Sequence, residues 1–171
     1  MTRRAISLVL LLTSAAVAGA QRPLTVNIGG GGSTPVGSFA DGAEPGWHAL
    51  AGLGLGSLMQ PIGLRLDVAY NAFSAKVTGP DLTVGSATLN LSYRLPMTNS
   101  AFSPYVIAGA GAYRLDCDDP LCGATTKFGW NAGLGTKAAV LGAKWFLEAR
   151  YQSVRTPGTL RFVTATLGLT L

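Results

Sequence analysis

The chain has 171 residues, enough for one domain, of which 48% are hydrophobic and only 12% charged. Ordinary soluble domains carry roughly 25% charged residues, so a fully water-facing surface is excluded. Setting aside Arg3 and Arg4 leaves 11 basic against 8 acidic residues, a net +3, and no basic cluster interleaved with aromatics indicates nucleic acid.

The first twenty residues read as a cleaved export signal. Arg3 and Arg4 supply a positive start, 6–12 a short apolar run, and Ala18-Gly19-Ala20 a small-residue cleavage site before Gln21. The rest, 21–171, is expected to form one domain. It offers no uninterrupted run of about 20 apolar residues. A membrane can therefore be entered only as a closed barrel, because lipid leaves backbone groups no other partners.

Eight alternating segments follow. Segment 23–33 places Leu24, Val26 and Ile28 on one face, and 46–57 places Trp47, Ala49, Ala51, Leu53 and Leu55 outward. Segment 62–73 sets Ile62, Leu64, Leu66, Val68 and Tyr70 outward against Arg65, Asp67 and Asn71 inward. In 82–94, Leu89, Leu91 and Tyr93 oppose Asn90, Ser92 and Arg94. Segment 104–115 is read with Tyr105, Ile107 and Tyr113 outward, and 127–137 with Phe128, Trp130 and Leu134 opposite Asn131 and Lys137. Segment 143–152, AKWFLEARYQ, has Trp145, Leu147 and Tyr151 on its apolar face and Lys144, Glu148 and Arg150 on the other. In 161–171, Val163, Leu167 and Leu169 oppose Thr164, Thr166 and Thr170. A strand sends successive side chains to opposite faces, so each segment has a lipid-compatible face and a polar one. The expected fold is an all-β, eight-stranded antiparallel up-and-down transmembrane barrel.

Shorter connections at 57–61, 95–103 and 138–141 alternate with longer ones at 34–45, 74–81, 116–126 and 154–160, which suits periplasmic turns and outer loops. Trp47, Tyr70, Tyr113, Phe128, Trp130 and Tyr151 are assigned to an outward belt at the long-loop end. Tyr93, Tyr105 and Trp145 are assigned to a second belt at the short-turn end. Amphipathic rings settle at both membrane boundaries.

The phrases GLRLDVAYN (63–71), SPYVIAGAGAYR (103–114) and FLEARYQS (146–153) resemble strands of the small eight-stranded outer-membrane β-barrels, the OmpA/OmpX and opacity-like group. The resemblance spans 23–171. It implies a bacterial outer-membrane location, a surrounding of outer-membrane lipid, and the barrel-assembly machinery as a partner in biogenesis. Such barrels usually end in an aromatic residue that this machinery recognises, whereas this chain ends in Leu171.

Candidate chemistry is sparse. Arg65, Asp67, Arg94, Arg114, Lys137, Lys144, Glu148 and Arg150 are assigned to an inward ion-pair network. Eight strands enclose little more than their own side chains, so a packed plug is expected rather than an ion path. Cys117 and Cys122, in CDDPLC, are expected to form a disulfide after export into an oxidising compartment. Asp116, Asp118 and Asp119 do not have the spacing of a calcium loop, and neither a metal site nor a cofactor is expected. His48, the single histidine, suggests a lipid-modifying site with Ser153 and Glu44 or Asp41, but no local motif supports one. The glycine runs 29–32, 52–56 and 133–135 lack the following Lys-Ser/Thr of a phosphate loop and read as strand glycines. The expected function is a non-enzymatic structural or surface-interaction barrel. The alternatives are a narrow pore for small solutes or ions, a lipid-modifying barrel enzyme, and a soluble lipocalin-like binder with its faces reversed.

Overall fold

A computed structural model describes residues 24–56, 61–77, 79–96, 101–118 and 123–171. The expected export signal lies outside them. Eight strands run in chain order: β1 (Leu24–Val36), β2 (Gly46–Gly56), β3 (Ile62–Phe73), β4 (Leu82–Arg94), β5 (Phe102–Cys117), β6 (Thr125–Val140), β7 (Ala143–Val154) and β8 (Leu160–Thr170), with a single helical turn α1 (Phe39–Gly42) between β1 and β2. Each strand pairs antiparallel with its sequence neighbour, and β1 pairs with β8 to close the barrel. Closure removes both sheet edges, so the ladder satisfies strand backbone groups without water.

Seven of the eight strands present the expected faces. Leu53, Leu66, Leu91, Leu134 and Leu167 are exposed on the outside, while Asn27, Asn71, Asn90, Asn131 and Thr166 are buried inside. The exception is β5. Tyr105, Ile107 and Tyr113 are buried in the lumen, and Val106 faces outward. Tyr105 and Tyr113 therefore do not belong to the aromatic belts, and Arg114 is not an inward charge. The middle of β5 is Ala108-Gly109-Ala110-Gly111-Ala112, which has no bulky or charged side chain to mark either face. Space decides the matter instead. A Cβ on Gly135 of β6 would fall 2.5 Å from the Tyr105 ring, and one on Gly129 would fall 2.7 Å from the Tyr113 ring. These two glycines make the room that the tyrosines occupy. The same inversion turns Phe102 outward at the short-turn end, where it is exposed.

Strands β1, β5 and β6 extend beyond the expected segments. Hydropathy alternation stops at the membrane boundary, whereas backbone pairing continues in water; Thr125 and Thr126 still pair with Leu115 and Arg114. At the other end of β6 the ladder runs to Val140 opposite Ala143. The turn shrinks to Leu141-Gly142, with φ of 53° and 78°, the type I′ geometry that matches strand twist.

Candidate functional site

Two layers of the barrel interior stand out among its buried side chains. The first is a quartet of charges joining opposite walls. Arg65 and Asp67 are two residues apart on β3, and Glu148 and Arg150 are two apart on β7, so each pair points inward. Along each strand Arg65 Nε meets Asp67 Oδ2 at 2.9 Å, and Arg150 Nε meets Glu148 Oε1 at 2.6 Å. Across the lumen Arg65 Nη2 meets Glu148 at 2.8 Å, and Arg150 Nη2 meets Asp67 at 2.6 Å. Tyr105 donates its hydroxyl to Glu148 Oε2 at 2.7 Å, and Asn90 donates Nδ2 to Asp67 Oδ2 at 3.0 Å. Two cations and two anions leave the layer neutral. All four are buried, which is sustainable only because each charge is paired and hydrogen-bonded.

The second layer, toward the long loops, is apolar. Phe73, Val84, Tyr113, Leu115, Val154, Leu160 and Phe162 fill it, with Ala43 of the first long connection. Phe73 stacks edge-on with Phe162 at 5.3 Å and with Phe39 of α1 at 5.1 Å. The sequence reading missed this layer, although its signal is present. Phe73 shares parity with Asp67 and Asn71, and Phe162 with Thr164, so both have to point inward.

The remaining charges assigned to the network lie outside it. Arg114 projects outward and reaches Asp116 only at 3.9 Å in an exposed pair, a contact of little energetic weight. Arg94 and Lys144 have inward parity but sit exposed at the short-turn mouth. Lys137 is half-buried there, with Nζ 6.0 Å from the Tyr105 ring centre. Long side chains near a strand end reach solvent instead of the quartet.

Among the belt residues, Trp47 packs on Tyr70 and Trp130 on Tyr151, each at 5.6 Å, and Phe128 lies under Arg155 at 5.7 Å. Tyr93 and Trp145 are exposed at the short-turn end.

At the outer rim, the long connections are tied together. The first and second share the bridge Ala43–Ala75, and Lys76 donates its N–H to Gly42 O at 3.0 Å. Ser38 Oγ donates to Gly158 O at 3.3 Å, and Asp118 N–H donates to Asp81 O at 3.2 Å. A cleft of about 260 Å³ opens beside α1, lined by Phe39, Phe73, Pro80 and Leu82 among others. Cys117 ends β5, while Cys122 and Asp119 lie outside the described residues. Among the described residues no group of side chains has metal-ligand character. The set considered for lipid modification is not brought together: His48 points inward and its Nε2 bonds Thr166 Oγ1 at 2.8 Å. Ser153 has the outward parity of Tyr151, and Asp41 and Glu44 are exposed.

A closed eight-stranded barrel with an apolar outer band and a neutral, filled interior is built for a bilayer. The family described as outer membrane protein beta-barrel domain matches residues 5–171. The chain belongs to that family. Its location is accordingly the bacterial outer membrane, and lipid is the solvent of its outward face. Comparison with curated proteins gives no match. Among solved structures, neisserial surface protein A superposes with a TM-score of 0.72 at 18% identity, over 86% of this chain and 96% of that one. Ail, the attachment invasion locus protein of Yersinia pestis, gives 0.51 at 14% identity, over 88% and 99%. The N-terminal β-barrel domain of Pseudomonas aeruginosa OprF gives 0.50 at 18% identity, over 88% and 100%. At these identities the likeness to this family of outer-membrane barrels is one of fold.

Proposed function

We propose that this outer-membrane barrel is non-enzymatic and non-conducting, and acts structurally or through contacts made by its outer loops. The carrying observation is the doubly filled lumen: the Arg65–Asp67–Glu148–Arg150 quartet spans it at one level, and the Phe73–Phe162 layer fills it at another. An ion crossing the barrel must break buried pairs and then cross an apolar layer, and both steps are costly. The outer rim, by contrast, is a set of connections cross-linked by backbone hydrogen bonds, and loops held by a rigid scaffold are where recognition usually resides. Reconstitution in planar bilayers tests the reading. A silent bilayer is expected, and steady single-channel steps would refute it.

The orientation proposed is short turns to the periplasm and long loops outside. Labelling intact cells with an impermeant maleimide should modify Lys76→Cys and spare Gly142→Cys; the reverse pattern would invert the assignment. Residues 1–20 are proposed to be removed on export, with the barrel-assembly machinery inserting the remainder. The intact mass of protein extracted from membranes should correspond to a chain beginning at Gln21. Cys117 and Cys122 are proposed to be joined; no free cysteine occurs among the described residues.

A further inference from the structure

The acidic side chains of this barrel are sorted along its axis, whereas basic ones occur at both ends. Six of the eight acidic residues belong to the long-loop end: Asp41, Glu44, Asp81, Asp116, Asp118 and, in sequence, Asp119. The other two, Asp67 and Glu148, are committed to the buried quartet. The short-turn end carries Arg94, Lys137 and Lys144 and no acidic side chain, and residues 57–61, 95–101 and 141–142 supply none.

The register gathers these three cations at one mouth. Arg94 of β4 is paired with Tyr105 of β5, Lys137 of β6 with Ser103 of β5 and Phe146 of β7, and Lys144 lies two residues before Phe146 on the same face. Adjacent strands are about 4.8 Å apart, so β4 and β6 are separated by about 10 Å, within reach of two long side chains. Lys137 lies in the like-charge field of Arg65, Arg94 and Lys144, with Glu148 as the opposing charge. Glu148 is already saturated: Oε1 accepts from Arg65 and Arg150, and Oε2 from Arg65 and Tyr105. Three cations thus share one mouth, Lys137 half-buried and Arg94 and Lys144 exposed, with no carboxylate of the described residues in ion-pair distance.

We propose that this short-turn mouth is a binding site for a phosphate or phosphate-ester dianion. A multivalent oxyanion offers the several acceptor oxygens that an arginine fork and two ammonium groups can share, whereas a single carboxylate would neutralise only one of them. The three cations share inward parity at the strand ends, while Trp145, Tyr93 and Phe102 hold the outward positions at this level. The inference rests on the proposed orientation only in placing the site in the periplasm; binding itself does not depend on it.

The test uses the mature chain folded in non-ionic micelles and titrated calorimetrically with inorganic phosphate and pyrophosphate. A parallel arm measures retention of phosphatidic acid, whose phosphomonoester headgroup can carry two charges, against phosphatidylcholine in mixed nanodiscs. Saturable binding is expected that weakens with added NaCl and falls at least about tenfold when Lys137→Gln and Lys144→Gln are combined. Lys127→Gln, at the opposite end, should leave it unchanged. Arg94→Gln, at an exposed strand end, provides a second variant if the pair fails to fold, and should weaken binding in the same direction. Binding of the soluble anions assigns the site to a free phosphate. Selective phosphatidic acid retention alone, lost in the same variants, assigns it to a lipid headgroup. No binding in either arm, or binding indifferent to these variants, overturns the proposal.

Discussion

Glu148 offers the sharpest test of how the lumen is held together. Its carboxylate is 1% exposed and accepts four hydrogen bonds, two from Arg65 and one each from Arg150 and Tyr105. Glu148→Ala removes one of the two anions balancing Arg65 and Arg150. Asp67 alone then faces two buried guanidinium groups, a net positive charge in a confined interior. Breaking a buried pair from one side costs about 3–5 kcal/mol. The orphaned Tyr105 hydroxyl would add about 1–3 kcal/mol if it stayed dry, but the space vacated by Glu148 admits water, so the expected loss is about 3–5 kcal/mol in total. Urea unfolding in lipid vesicles, followed by tryptophan fluorescence, measures it. Replacing the quartet together, with Arg65→Met, Asp67→Leu, Glu148→Leu and Arg150→Met, should cost much less, because apolar substitution of whole buried ion pairs is often near neutral. A Glu148→Ala loss below about 1 kcal/mol would refute the account. So would a quadruple variant no more stable than the single one.

Three further outcomes are expected. Gly135→Val should destabilise the barrel by about 1–3 kcal/mol through overpacking against the Tyr105 ring, whereas Gly158→Ala, with open space around it, should be nearly neutral; both are read from the same unfolding midpoints. Leu141→Asn should stabilise by roughly 0.5–1 kcal/mol, since Asn tolerates the left-handed conformation that leucine adopts here and Asn-Gly is the preferred pair for this turn; an unchanged or lowered midpoint counts against it. Cys117→Ser with Cys122→Ser should leave heat-modifiable gel migration intact, because the short ring contributes at most about 2–3 kcal/mol and barrel closure does not pass through it. Two freely alkylated thiols in wild-type protein isolated without reductant would show that the bond is absent.

Most of the architecture is legible in the amino-acid sequence because the bilayer imposes a strict rule on each strand. A charged or amide side chain cannot face hydrocarbon, so one such residue fixes the parity of a whole strand. Arg65 and Asp67 orient β3, Asn90 orients β4, Asn131 orients β6, and Glu148 with Arg150 orients β7. Strand count, closure and outer-membrane location follow from that alternation together with the absence of any long apolar run.

The tertiary structure decided what that rule leaves open. In β5, Gly109 and Gly111 alternate with Ala108, Ala110 and Ala112, so no side chain in its centre is excluded from either solvent. Tyrosine is at home in a belt or in a lumen, and the glycines across the ladder on β6 set the choice. Which cations join the quartet is likewise not a property of parity. Arg94, Lys137 and Lys144 share it with Arg150, but depth along the axis separates a buried partner from a mouth residue, and depth comes from register. The apolar layer has the same origin: Phe73, Phe162 and Phe39 are far apart in sequence and meet because closure brings β8 beside β1 and folds α1 over the opening. Periodicity along one strand reports which solvent a side chain meets. Which neighbour it meets depends on how the strands are stacked around the barrel.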